Sequence, residues 1–542
     1  MGTATSDRSA NAAAGQLSTA AAEDEGVLAE LRAELRGVVI APGDPDYDAA
    51  RTLHNAMIDK RPAAIARCTG VADVKAALGF GLAQGLELAI RGGGHNVAGK
   101  ALCDGGLVID LSALKGIRVD PNTRTVRAQP GLTWGEFDRE TQAFGLATTG
   151  GAVSTTGIAG LTLGGGIGWL QRKHGLTCDN LISADVVTAD GRFVTASESE
   201  NPDLFWGLRG GGGNFGIVTS FEYRLHPLGP QVLGGPIVYP FEAAREVFDT
   251  YREFAAAAPD DVFPEFGLMP LPDGSSAAYM FLFHAGPLDA AERAFEPLRR
   301  FREPLQDLLA PRRYVEVQQM FDEALPAGLN YFWKSSDLHE LSDGVIETLL
   351  ERYAQRPEGT IVIVDPYGGA VGRVPDDATA FGHRRSAFAV IVIAMWDDPA
   401  QEEAHVTWAR GLWDALQPHA ENAVYVNYLG PDDAEDRIRE AYGDEHYARL
   451  KALKRVYDPA NVFRTTRTSR RTSRRSPASI TASPGSRSLE IGLERASGVG
   501  RSTVSSTERA ASHAFASSTS VRRYAVSAAD GDLVIWRRFD RR

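Results

Sequence analysis

Two glycine-dense loops constrain this 542-residue chain more than any other feature. Arg91-Gly92-Gly93-Gly94-His95-Asn96 directly follows the strand-like run Leu86 to Ile90. Consecutive residues without side chains let backbone N–H groups converge on a diphosphate with no Cβ in the way. The second loop carries Gly157, Gly160, Gly164, Gly165, Gly166 and Gly168. Two such loops in one domain exceed what chain reversal needs, although tight turns alone remain the plainer reading. A third run, Gly211, Gly213 and Gly216, satisfies G-x-G-x-x-G, but a Rossmann site needs a strand before that motif and a helix after it. Here Phe205-Trp206-Gly207-Leu208 precedes it and an evident strand, Ile217 to Leu225, follows, so a nicotinamide Rossmann domain is rejected.

Around these loops the chain reads as mixed α+β. Ala63 to Cys68 is predicted as a strand, Thr69 as a helix cap and Val71 to Ala83 as a helix that Gly85 stops. Leu107 to Asp110 is a further strand. Gly116 to Val119 and Thr125 to Ala128 form a hairpin around Asp120-Pro121-Asn122. Thr133 and Glu136 make a capping box for a helix running to Phe144. Ala184 to Ala189 and Arg192 to Thr195 flank an Asp190-Gly191 hairpin turn. From residue 231 to 420 the pattern changes: helices at 242–258, 286–304, 341–355 and 400–417 alternate with apolar strands at 277–284, 360–364 and 387–395, which marks a second domain. A charged helix follows at 436–456 and stops at Tyr457-Asp458-Pro459.

Composition narrows the class. With 43% hydrophobic and 23% charged residues the chain is ordinary globular protein. It has no apolar run near eighteen residues and no secretory pattern at its start, so no membrane association and a cytoplasmic location are expected. The three cysteines, Cys68, Cys103 and Cys178, fit neither a disulfide framework nor metal-site spacing. Residues 465–542 hold fifteen arginines, no lysine and six acids, which leaves 42 basic against 64 acidic residues, a net −22, on residues 1–464. So acidic a body repels nucleic acid.

Several motifs occur in one order: Arg91 to Asn96; Gly164-Gly-Gly-Ile-Gly168-Trp169-Leu170; Arg172-Lys173-His174-Gly175-Leu176 with Asp179-Asn180; Leu208-Arg209 through Gly213-Asn214-Phe215-Gly216; Tyr425-Val426-Asn427-Tyr428; and Tyr457-Asp458-Pro459-Ala460-Asn461-Val462-Phe463. Together, over about residues 50–464, they resemble the FAD-linked oxidases of the berberine bridge enzyme type, which share the fold of vanillyl-alcohol oxidase and p-cresol methylhydroxylase. The resemblance implies a two-part FAD-binding domain from residues 50–230 and 421–464. A substrate domain of antiparallel sheet covered by helices, residues 231–420, is inserted between the parts. It also implies cofactor contacts from Arg91, Gly92, Gly93, Gly94, His95, Asn96, Gly131, Gly151, Gly157, Gly160, Gly165, Gly168, Ile217, Val218 and Asn427. His95 is expected to be joined covalently to the flavin 8α-methyl carbon; a neutral imidazole is a competent nucleophile near pH 7. A histidine that only hydrogen-bonds is the alternative. Relatives with a second link place a cysteine where this chain has Val153, so a single link is expected, and Cys178 reads as a small packed residue. Leu161 stands where the founding plant enzyme has a histidine.

The implied chemistry is oxidation of a hydroxyl or amine of a small molecule, a sugar or secondary metabolite, by hydride transfer to flavin N5, with molecular oxygen as acceptor and hydrogen peroxide as product. A flavin dehydrogenase with another acceptor and a catalytically inactive flavin-binding protein are the other readings; oligomeric state is left open. Tyr425 is the candidate base and Tyr367, in Asp365-Pro366-Tyr367-Gly368-Gly369, a second phenol beside it. A tyrosine of pKa about 10 is about 0.1% ionised at pH 7, a deficit of about 4 kcal/mol. Recovery of part of it is expected from Tyr367 or from the positive charge of Lys334. Either phenol could instead merely pack. Trp333 and Lys334, in Asn330-Tyr331-Phe332-Trp333-Lys334, are the expected substrate contacts, and aromatic faces there suit sugars and heteroaromatics alike.

Residues 1–24 lack periodicity and are expected to be disordered. After Arg464 the family's Asn-Gln-Asn-Ile-Pro-Pro continuation is replaced by Thr-Arg-Thr-Ser-Arg-Arg, which loss of one nucleotide at about Thr466 would produce. Residues 465–542 are therefore expected to be a disordered, frame-shifted tail; a genuine basic tail is the alternative.

Overall fold

The computed structural model describes residues 26–433 and 435–464 and two short strands, Arg522–Ala525 and Arg537–Asp540, which pair antiparallel. The expectations for residues 1–24 and for the remainder of 465–542 lie outside the described residues.

Three sheets organise the chain. The first has four strands in the order Val38–Ile40, Ala64–Arg67, Leu107–Asp110 and Leu88–Arg91, the last three parallel to one another. The helix Val71–Ala83 makes the crossover, and Gly85 turns the chain with φ +65°. Its N-cap is Gly70 rather than Thr69. Thr69 instead donates its N–H and hydroxyl to Asp73, whose carboxylate also accepts from the N–H groups of Arg36 and Gly37. One buried acid thus fastens two loops to the helix start. The second sheet is antiparallel, in the order Ile117–Asp120, Thr125–Ala128, Gly216–Arg224, Leu181–Thr188 and Phe193–Ser197. Against it packs the helix Trp134–Gln142, which carries the Thr133–Glu136 capping box.

The third sheet is long and antiparallel: Val232–Pro240, Ser276–His284, Val262–Pro270, Thr360–Pro366, Phe388–Trp396 and Asn330–Leu338 follow one another, with Gln306–Asp307 and Ala310–Arg312 at the outer edge. The strand Phe388–Trp396 shows why a continuous apolar run suits it. Val390, Val392, Ala394 and Trp396 face the helices Ala244–Ala257, Leu288–Phe301, Asp343–Tyr353 and Glu402–Leu416. Ile391, Ile393 and Met395 belong to the opposite face, packed with Trp169 and Leu170 of the glycine-loop region. A strand buried on both faces gives up the usual apolar/polar alternation. Three of these strands are not evident in the sequence. Gly234, Gly235 and Pro236 interrupt the first, Pro264 the second, and Lys334 and Asp337 make the third look half-polar.

Residues 424–463 return to the first two sheets: Val424, Tyr425, Leu450 and Leu453 join the core around Phe137 and Phe221, and Phe463 joins the one around Val74 and Ile109. The helix expected over 436–456 is two helices, Glu435–Tyr442 and Asp444–Tyr457, broken by Gly443 at φ +72°. A left-handed residue cannot continue a right-handed helix.

Candidate functional site

A large cavity opens where the glycine loops face the inner surface of the long sheet. It gathers Gly92, Gly93, Gly94, His95, Asn96, Gly151, Gly157, Gly160, Gly168, Ile217, Val218, Tyr425, Asn427 and Trp333 of the residues singled out above. The two loops touch: a Cβ on Gly93 or on Gly157 would lie 2.5–2.6 Å from the other's backbone. Gly160 and Gly213 have open space where a Cβ would stand. Peptide groups thus form this wall, a surface suited to a diphosphate, and Ile217, Val218 and Trp169 add apolar area for flat rings. These residues fit FAD. Gly212, Gly213 and Gly216 line the same cavity, although helix precedes and strand follows them, so a glycine run that is no Rossmann fingerprint still borders the site.

Five expected contacts are placed elsewhere. Arg91 turns its guanidinium to the carbonyls of Ala50 and Thr52. Gly131 permits packing, since a Cβ there would meet the Leu111 carbonyl oxygen at 2.3 Å, and at Gly165 it would meet the Phe381 ring. Tyr367 is fully buried beside the cavity, and its hydroxyl has no partner among the described residues. Lys334 points to the opposite face of its strand from Trp333 and is held by Asp432 and Asp433 at 3.0 and 2.7 Å, so its charge does not serve Tyr425.

The Tyr425 hydroxyl oxygen instead accepts from the Gly166 N–H at 2.9 Å and the Asn427 amide at 2.7 Å. The same amide nitrogen lies 3.4–3.5 Å from the Gly160 and Leu161 carbonyls, which fixes its orientation. Both of these contacts are N–H donors, so the phenol oxygen is held as an acceptor at the cavity wall. Burial first, and then nearby acids and phenols, push Tyr367 and Tyr428 well above the usual phenol range, so neither ionises readily.

His95 is stacked on His54 with ring centroids 3.8 Å apart, and Thr155 Oγ1 lies 3.5 Å from its Nε2. Burial, then the neighbouring imidazole, push the His95 pKa down to about 3; burial pushes that of His54 to about 4. Both rings are neutral near pH 7. Val153 and Leu161 line the cavity, whereas Cys178 is fully buried away from it with its thiol pKa raised by burial.

Glu265 and Asp365 also line the cavity, from neighbouring strands. Their carboxyls hydrogen-bond to each other, and the Tyr279 hydroxyl donates to Glu265 at 2.9 Å. Sequence reasoning missed them. The available signal was one acid inside each otherwise apolar strand, Val262-Phe-Pro-Glu265-Phe and Ile361-Val-Ile-Val-Asp365.

Comparison with known proteins agrees with this geometry. The FAD binding domain family matches residues 62–197, and the berberine and berberine-like family matches residues 424–467. An FAD-linked oxidoreductase of Dictyostelium discoideum is 30% identical over 444 residues, 81% of this chain and 95% of the relative. The (R)-6-hydroxynicotine oxidase of Paenarthrobacter nicotinovorans is 31% identical over 450 residues, 79% of this chain and 96% of the relative. The crystal structure of 6-hydroxy-D-nicotine oxidase from Arthrobacter nicotinovorans superposes with a TM-score of 0.74 at 30% identity, covering 80% of this chain and 97% of that one.

Proposed function

Because this chain belongs to the berberine-bridge-enzyme-like family of FAD-linked oxidoreductases, we propose that it is an oxidase that holds FAD through His95 and oxidises a hydroxyl or amine of a small molecule, with molecular oxygen as acceptor. FAD, when bound, supplies the two-electron acceptor. The observation that carries the catalytic reading is the Tyr425 oxygen, which accepts two N–H hydrogen bonds at the cavity wall. In this reading Tyr425 acts as its phenolate: it takes the proton of the substrate hydroxyl or amine and becomes the phenol, while Asn427 and the Gly166 N–H hold its oxygen in place. His95 contributes a neutral, stacked imidazole nitrogen, the protonation state that a bond to the flavin 8α-methyl requires. Val153 provides no second nucleophile.

Intact mass and visible spectrum after acid denaturation test the linkage. A yellow pellet heavier by one FAD, lost in His95→Ala, supports it; a colourless pellet under a yellow supernatant sinks it. Peroxide formation during turnover in air tests the acceptor, and turnover with a redox dye but none with oxygen would mean a dehydrogenase.

A further inference from the structure

The inner face of the long sheet presents Phe263, Ile363, Ile391, Ile393 and Trp333 to the cavity, with Glu265 and Asp365 among them. The two acids are 3% and 6% exposed. Their arrangement is built: the Tyr279 ring crosses Gly267, where a Cβ would lie 2.2 Å from it, to place its hydroxyl on Glu265. Neither acid forms an ion pair with a basic side chain among the described residues; Arg172, which is largely buried, bonds the carbonyls of Ala258, Val262 and Tyr367 instead. Burial and the adjacent Asp365 carboxylate hold Glu265 protonated far above its ordinary range, while Asp365 rises to about 6. Of the two, Asp365 is the carboxyl that gives up its proton more readily, so a charge on the pair sits on Asp365. In the same cavity lining Trp169, 2% exposed, keeps an indole N–H with no partner among the described residues, which a bound molecule can satisfy.

A buried charge without a cation is a costly thing to leave in an apolar wall. We propose that the hydrogen-bonded carboxyls of Glu265 and Asp365 select a basic amine carried on an apolar body, bound as its ammonium ion, over a neutral polyol. This rests on the reading of the cavity as the FAD and substrate site. The apolar residues beside the pair offer a sugar's hydroxyls almost no partners, whereas they suit a hydrophobic ring or chain next to the ammonium.

The test compares benzylamine, cationic at pH 7.5, with benzyl alcohol, its neutral counterpart of similar shape, on the FAD-loaded full-length protein. Binding is followed by melting temperature and by perturbation of the flavin absorption. Benzylamine is expected to bind at least about tenfold more tightly. Glu265→Gln leaves the Asp365 charge in place and keeps that preference; Glu265→Gln with Asp365→Asn removes it, with FAD content unchanged. Equal binding of the two probes by the wild-type protein, or a preference that survives the double substitution, overturns the proposal. The wild-type comparison stands even if a variant does not fold. A wild-type protein that takes up no FAD overturns the site reading itself, a result separate from lost cation preference.

Discussion

The imidazoles of His54 and His95 lie face to face, 3.8 Å apart at an interplanar angle of 25°, with the Tyr331 ring 4.8 Å from that of His54. Burial holds His54 at about 4, below its ordinary 6.5. A histidine depressed on folding binds fewer protons than in the unfolded chain. Its contribution is therefore fully present above pH 6.5 and is lost as pH falls towards 4. A fall from 6.5 to about 4 corresponds to about 3 kcal/mol. His54→Phe keeps a flat ring in the stack and cannot take a proton. Melting curves from pH 7.5 down to 4.5 are expected to fall less steeply for the variant than for the wild type; parallel slopes would contradict this account.

Tyr425→Phe removes the oxygen on which the Gly166 and Asn427 donors converge. General-base contributions are typically 10²–10⁴-fold, so kcat is expected to fall by at least about 100-fold with FAD content intact. Asn427→Ala takes away one of the two donors. A hydrogen bond to a charged group contributes about 1.5–3 kcal/mol, so the kinetic pKa governing the ascending limb of kcat should rise by about 1–2 units. A Tyr425→Phe enzyme of near-normal turnover would show that the base lies elsewhere.

The parts of the site visible in the sequence are those written over short spans. The triple glycine with His95, the glycine-rich stretch to Gly168 and Tyr425-x-Asn427 each depend on residues within a few positions of one another. Glu265, Asp365 and Tyr279 come from three strands and meet only through sheet register and the gap left at Gly267. No local pattern could announce that meeting. Trp333 and Lys334 show the complementary loss: adjacent on the chain, they look like one substrate-side run, yet successive strand residues point to opposite faces. Only Trp333 reaches the cavity, and Lys334 meets Asp432 and Asp433 behind the sheet.

Two glycines that line the same wall should respond differently to one methyl group. Gly93→Ala drives a Cβ to 2.6 Å from the Gly157 backbone, where neither loop can yield without moving the other. Overpacking of this kind costs about 1–3 kcal/mol, so both melting temperature and FAD retention are expected to drop. At Gly160 a Cβ meets nothing within 4 Å. Gly160 lies within the short helix Ile158–Leu163, so Gly160→Ala should hold or slightly raise the FAD-free melting temperature and lower only FAD loading. Equal loss of FAD-free stability in the two variants would mean that the loops do not touch as described.

Lys334→Met separates the two roles that a cation beside an aromatic run could have. The Lys334 side chain is 7% exposed and its ammonium bonds Asp432 and Asp433, while Asp432 also keeps Arg410 at 2.9 Å. Removing one partner of a buried pair strands the other charges and can cost 3–5 kcal/mol; with Arg410 retained, about 2–3 kcal/mol is expected here. Methionine preserves the apolar stem along Phe332 and Trp413, the rings near the ammonium, so the loss reads the charge rather than the packing. Because Lys334 does not face Tyr425, the kinetic pKa of kcat should stay where it is in the wild type while the melting temperature falls. The reverse result, an unchanged melting temperature with a kinetic pKa displaced upward, would return Lys334 to the cavity as the charge that ionises the phenol.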